Sequence, residues 1–188
     1  LVAPMGAKNS PSILSALMQL VLRGLPLQHV ISYLDDILIA TSTMEEHLDY
    51  LDKVLTALEK AGLKLNPAKC SIAQDTIICL GHKLSKDGVA PDPSNIDKIR
   101  AWQAPPNVKK LKTFLGLTGY YRHFVKDYSK IAQPLTDLTH DDSPWVWHQQ
   151  HQDAFDELKR ILISDQIMSY PDFSKPFVVK ADASLSAI

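Results

Sequence analysis

Residues 30–41, VISYLDDILIAT, set two short apolar runs, Val30–Leu34 and Ile37–Ala40, on either side of two aspartates. Runs of this length, rich in β-branched and aliphatic residues, are strand material. The reading is a β-hairpin with Asp35 and Asp36 as its two-residue tip. Such tips favour Asn-Gly or Asp-Gly, because their central residues often need positive φ. Asp-Asp offers no glycine and sets like charges side by side. At about 4 Å they repel by roughly 1 kcal/mol in water and about 4 kcal/mol at an effective dielectric near 20. Adjacent carboxylates on a rigid tip are hard oxygen donors suited to Mg²⁺; without a cation they make a solvated surface turn. The residues leave both readings open.

Working outward, Ile13, Leu14, Leu17, Leu20 and Val21 recur at helical spacing after Pro11. Beyond the hairpin, TSTMEEHLDYLDKVLTALEKAG (41–62) predicts a second helix. Thr43 and Glu46 form a capping box, Met44, Leu48, Leu51, Leu55 and Leu58 make one stripe, and Gly62 closes it. LKLNPAKCSI (63–72) and IICLGHKLS (77–85) read as short strands or extended segments, with a turn at Lys86–Gly88. This order fits an α+β layer with the sheet covered on one face. Proline and glycine cluster in DGVAPDPSN (87–95), which marks a boundary. Helices follow. Asp92 and Pro93 open one that buries Ile96, Ile99 and Trp102. Asn107 caps a second, with Leu111, Phe114, Leu115 and Tyr121 on one side. A third spans about Gln149–Ile163, carrying Phe155, Leu158, Ile161 and Leu162, and strand character returns at Phe177–Lys180.

The chain has 188 residues and is 45% apolar, with no run long enough to span a bilayer and no signal-peptide pattern. Cys70 and Cys79 make neither a disulfide framework nor a zinc pattern and read as buried thiols in a reducing compartment. The net charge of −1 is uneven. Between Asn95 and Lys130, eight basic residues face two aspartates, which leaves −7 for the remainder. A local contact with a polyanion, or an ordinary solvated lysine face, accounts for that stretch. His148 and His151 read as polar helix-start residues, and Trp102, Trp145 and Trp147 as core.

YLDD (33–36), preceded by APMGAKNSP (3–11) and followed by LKLNPAKC and LGHKLS, resembles the palm of a reverse transcriptase. Further on, LKTFLGLTGYYRHFV (111–125), IAQPLTDLT (131–139), FDELKRIL (155–162) and YPDFSKPFVVKADAS (170–184) resemble the thumb, connection and opening of RNase H, in the order of gypsy-type LTR retrotransposons. The resemblance implies an α+β fold: the C-terminal palm over 1–90, a helical thumb over 91–140, a connection over 141–174 and the first strand of an RNase H-like domain over 175–188. It implies an RNA-directed DNA polymerase segment using Mg²⁺ (or Mn²⁺), with primer–template duplex, dNTP and the rest of a polyprotein as partners, and no membrane. The cytoplasm, including virus-like particles, is the expected location, with the nucleus the alternative.

By the same resemblance, Asp35 and Asp36 are catalytic metal ligands. Tyr33 lies beside them, and Gly6, Lys8, Asn9 and Pro11 border nucleotide and template. Lys69 sits near the nucleotide phosphates, where a surface lysine is the competing reading. Leu80, Gly81 and His82 grip the primer end. Lys109, Lys110 and Lys112, with Gly116 and Gly119, track the duplex, and Asp182 is the first RNase H metal ligand. Met5 and Ser15 depart from the family pattern, which puts nucleotide selection in question. The third polymerase carboxylate and the remaining RNase H acids are not in this sequence, so the chain alone is expected to be inactive. The other hypothesis is a non-catalytic retrotransposon remnant or captured host sequence that binds nucleic acid or protein. Open reading frames on either side would separate the two.

Overall fold

The hairpin forms with its tip one residue earlier than expected. In the computed structural model, which describes residues 8–140, 143–164 and 167–178, β1 (Val30–Tyr33) and β2 (Asp36–Ile39) pair antiparallel with Tyr33 opposite Asp36. The tip is therefore Leu34–Asp35, and Asp36 opens the second strand. This register sets Val30 opposite Ile39 and Ser32 opposite Ile37. Val30, Ile37 and Ile39 then reach one core, and a one-residue slip would turn one strand's apolar set away. The cost is Leu34 at φ +54°, roughly 1–2 kcal/mol for a residue with a Cβ.

The chain divides into two compact units, Leu1–Gln74 and Asp75–Ile188. In the first, α1 (Ser10–Val21) and α2 (Met44–Lys60) pack with the hairpin around Met18, Leu22, Val30, Val54 and Leu58. The buried faces are rotated from the sequence stripes. Ile13, Leu17 and Leu20 of α1 and Met44, Leu48 and Leu55 of α2 are exposed. Both helices are apolar over more of their surface than two strands can cover. Thr43 caps α2 as expected, accepting from the Glu46 N–H, but the Glu46 carboxylate takes the N–H of Ser42 rather than that of Thr43. Gly62, at φ +70°, closes the helix, with its own N–H on Glu59 O and that of Leu63 on Leu58 O. Residues 63–72 form no strand. Asn66 accepts from the Ala68 N–H and starts a 3₁₀ turn at Pro67–Lys69.

In the second unit, IICLGHKLS is a hairpin: β3 (Thr76–Cys79) and β4 (His82–Ser85) flank a Leu80–Gly81 turn with both φ positive. β5 (Gly88–Pro91) joins β4 through the expected turn. DGVAPDPSN thus contributes a strand, and the chain's compact division falls earlier. Gly88, at φ +137°, lets the chain after the last helix approach: a Cβ there would stand 2.2 Å from Met168 O, and Val89 and Met168 exchange two 2.8 Å backbone hydrogen bonds.

Helices α3 (Pro93–Ala101) and α4 (Val108–Tyr120) start at Asp92 and Asn107, whose side chains accept from the N–H groups of Ser94 and Lys110. α5 (Tyr128–Asp137) was not legible, because Pro134 lies inside it. An interior proline costs roughly 3 kcal/mol, and burial of Ala132 and Leu135 against the shared core offsets it. With α6 (Gln149–Ile163), these helices enclose Ile99, Leu111, Phe114, Tyr121, Leu135, Leu158 and Leu162. Trp102, Trp145 and Trp147 pack partly buried against that cluster, as a core role requires. The cysteines depart from expectation: Cys70 is exposed and Cys79 half-buried. No described helix is long and apolar enough to cross a membrane.

The expected polar start of α6 is a cap: the His148 N–H donates to Nδ1 of the buried His151 at 2.8 Å. Burial, and then the neighbouring His148, push the His151 pKa below its ordinary value. The folded state therefore binds this proton less readily than the unfolded chain. The resulting stability is complete above the unfolded pKa of about 6.5, declines below it and is fully lost once pH has fallen through the lower folded pKa. Denaturant midpoints followed by tryptophan fluorescence are expected to hold between about pH 7 and 8 and to drop below about 6.5. His151→Gln, which keeps an acceptor that does not titrate, should flatten that drop.

Candidate metal and nucleic-acid site

At the hairpin end of the first unit, Asp35 and Asp36 stand side by side without a described side-chain partner. Asp35 and Asp36 are exposed, and neither carboxylate makes a hydrogen bond or ion pair with any described residue. Tyr33, opposite Asp36, is also exposed. Leu34, strained between them, faces α1: with Pro11, Ser12, Ser15, Ala16 and Gln19 it lines an open cleft of about 370 Å³. Ser15, the departure noted in the sequence, thus sits beside the tip. Lys8 and Asn9 are exposed just before α1, and the Asn9 side chain makes no capping bond. Lys69 ends the 3₁₀ turn, exposed, with no hydrogen bond or ion pair to the tip. Unpaired adjacent carboxylates fit a hard divalent cation. Two carboxylates do not complete a site, and the described residues hold no group of three or more His, Cys, Asp or Glu placed for a metal. Gly6 and Asp182 lie outside the described residues, as does part of the expected Phe177–Lys180 strand; Phe177 and Val178 lie in no strand.

The second unit brings Leu80, Gly81 and His82 onto one end of α4. Tyr120 donates its hydroxyl to Leu80 O, and Tyr121 donates to Gly81 O at 2.6 Å while accepting from Asn95 Nδ2 at 2.9 Å. His82 lies against both tyrosine rings and Phe124. Burial raises the Tyr121 phenol pKa above its ordinary value. On α4, the exposed Lys109, Lys112, Gly116 and Tyr120 recur at three- and four-residue steps and so share the face away from the core. Lys110 is exposed but lies about a third of a turn off that stripe. Apart from its own stretch of helix, no described residue stands within 4 Å of where a Gly116 Cβ would be, so backbone is open to a ligand there; Gly119 instead backs onto the Tyr128 hydroxyl. Sequence reasoning missed the phenol contacts, having read Tyr121 only as core. The available signal was that a buried tyrosine hydroxyl needs a partner.

A family model described as reverse transcriptase (RNA-dependent DNA polymerase) matches residues 1–84, and one described as an RNase H-like domain found in reverse transcriptase matches 147–188. The chain is similar to the retrovirus-related Pol polyprotein from transposon 297 of Drosophila melanogaster, 38% identical over 189 residues that cover 98% of this chain and 18% of that polyprotein. It is also similar to the transposon Tf2-3 polyprotein of Schizosaccharomyces pombe, 34% identical over 188 residues, 100% of this chain and 14% of that one. It therefore spans less than a fifth of these relatives. Among solved structures, the foamy viral protease-reverse transcriptase in complex with dsDNA matches with TM-score 0.83 and 29% identity, over 92% of this chain and 36% of that one. The same enzyme in complex with RNA/DNA hybrid matches with TM-score 0.80 and 29% identity, over 88% and 23%.

Proposed function

Given that this chain belongs to the reverse transcriptase family, as a palm-to-RNase H segment of an LTR-retrotransposon polyprotein, we propose that it carries two metal-binding carboxylates and a duplex track of an RNA-directed DNA polymerase. The observation that carries the reading is the end of the hairpin: two adjacent exposed carboxylates, with no hydrogen-bond or ion-pair partner among the described residues, beside a strained Leu34. Strain of this kind persists where surrounding structure over-determines it, commonly at functional sites. Asp35 and Asp36 would hold a divalent cation, which when bound favours the deprotonated primer hydroxyl and screens the phosphates. The chain's own residues place those oxygens on a short rigid hairpin and set Tyr33 beside them.

Lys109 and Lys112 supply phosphate contacts that carry no sequence information, and Gly116 leaves backbone open to the duplex. The foamy viral neighbours, solved with dsDNA and RNA/DNA hybrid, support a duplex partner. Leu80, Gly81 and His82 are assigned to the primer end, and Lys8, Asn9 and Lys69 to the nucleotide side. Palm over 1–90, thumb over 91–140, connection over 141–174 and RNase H-like start over 175–188 remain the functional division proposed.

The test is salt-dependent binding. The purified chain is expected to bind DNA duplexes of unrelated sequence alike, and Lys109→Ala/Lys112→Ala should lower the slope of log K against log salt by about 2. An unchanged slope would remove the duplex track. The same preparation is expected to extend no primer with Mg²⁺, since Asp35 and Asp36 supply only two carboxylates; measurable extension would refute the two-ligand reading.

A further inference from the structure

Both carbonyls of the Leu80–Gly81 turn are held from beneath. Leu80 O accepts from the Tyr120 hydroxyl and from Nδ1–H of His82 at 2.9 Å; Gly81 O accepts from the Tyr121 hydroxyl and from the Asp92 N–H at 3.1 Å. Leu80, at φ +47°, occupies a conformation that a residue with a Cβ rarely adopts unaided. At Gly81, an added Cβ would stand 3.3 Å from the Tyr120 ring, so the turn also sits tightly on that side chain. Tyr120 itself is half exposed and belongs to the same outward stripe of α4 as Lys109, Lys112 and Gly116. One side chain therefore reaches both the proposed duplex face and the proposed primer-end turn.

We propose that Tyr120 and Tyr121 are positioning residues that anchor the Leu80–Gly81 turn to α4, so that a duplex seated on the basic stripe meets a primer-end contact already in place. This rests on the function proposed above. Tyr121 fixes the turn from the core, and Asn95 fixes the Tyr121 hydroxyl. Tyr120 fixes it at the surface, where the ring borders the duplex face.

The experiment compares the full chain with Tyr120→Phe, which keeps the ring and its tilted contact with His82 and removes only the hydroxyl. Amide exchange at His82 and Asp92, measured without nucleic acid, is expected to quicken about 2- to 10-fold, the factor a single hydrogen bond is worth. A primer ending in 4-thiothymidine should photocrosslink to residues 79–83 of the parent. In the variant that yield, relative to crosslinks on α4, should fall by a similar factor while duplex affinity stays within about twofold, since no charge is removed. Tyr121→Phe, once circular dichroism shows it folded, should do the same. Unchanged exchange in Tyr120→Phe overturns the anchoring. Faster exchange with an unchanged crosslink ratio overturns its tie to the duplex. If the parent binds no duplex, the proposed function fails, and the exchange comparison still judges the anchoring.

Discussion

Asp36→Asn, in a polymerase that carries this segment, is expected to lower primer extension by roughly 10³-fold, equivalent to about 4 kcal/mol of barrier. Asparagine keeps the side-chain volume and one carbonyl oxygen but removes the negative charge a divalent cation needs. Asp36 opens β2, is exposed and has no described hydrogen-bond or ion-pair partner. The fold therefore has little reason to notice the change, and Asp35→Asn should behave alike. Duplex affinity should stay near the parent's, because the proposed phosphate contacts belong to α4 in the other compact unit. The check is single-turnover extension across a Mg²⁺ titration, alongside duplex binding. A variant that regains the parental rate at high Mg²⁺ would leave Asp36 as no more than a helper in cation capture, and one that loses affinity and rate together would recast it as a structural residue.

Phe114→Ala is expected to remove about 3–5 kcal/mol from the second unit. Phe114 is fully buried on α4, its ring 4.6 Å from that of Phe155 on α6 and 5.9 Å, edge-on, from Trp102. Truncation deletes a contact shared by the elements on either side and leaves a cavity that two rigid rings cannot close. All three tryptophans, Trp102, Trp145 and Trp147, lie in this unit, so their fluorescence follows its denaturant unfolding selectively. Phe114→Leu, which restores most of the volume, should cost less than about half as much. Equal losses from both variants would mean that ring geometry, rather than filled volume, sets the stability.

Much of the organisation is legible because it rests on local chemistry. Thr43, Asp92 and Asn107 are side-chain acceptors just before apolar periodic runs, and each caps the helix it introduces. Gly62 and the turn after Ser85 likewise stand where only a chain reversal suits the composition. The acidic pair could be found because Asp-Asp is a poor folding choice for a hairpin tip, and the ordered motifs around it carried the family.

What was not legible depends on partners far along the chain. Cross-strand pairing of Val30 with Ile39 moved the tip to Leu34–Asp35, a choice made by the core and not by turn propensity. α5 runs through Pro134 because Ala132 and Leu135 are buried in a core whose other walls come from α4 and α6. Sequence by itself determined the capped helices, the existence of the hairpin and the chemical character of its aspartates, since each follows from neighbours within a few residues. Tertiary structure alone decided which face of α1 and α2 is buried, which residue bends the tip, and that two tyrosines hold a turn forty positions earlier. Those outcomes depend on which surfaces meet, and no local pattern encodes that.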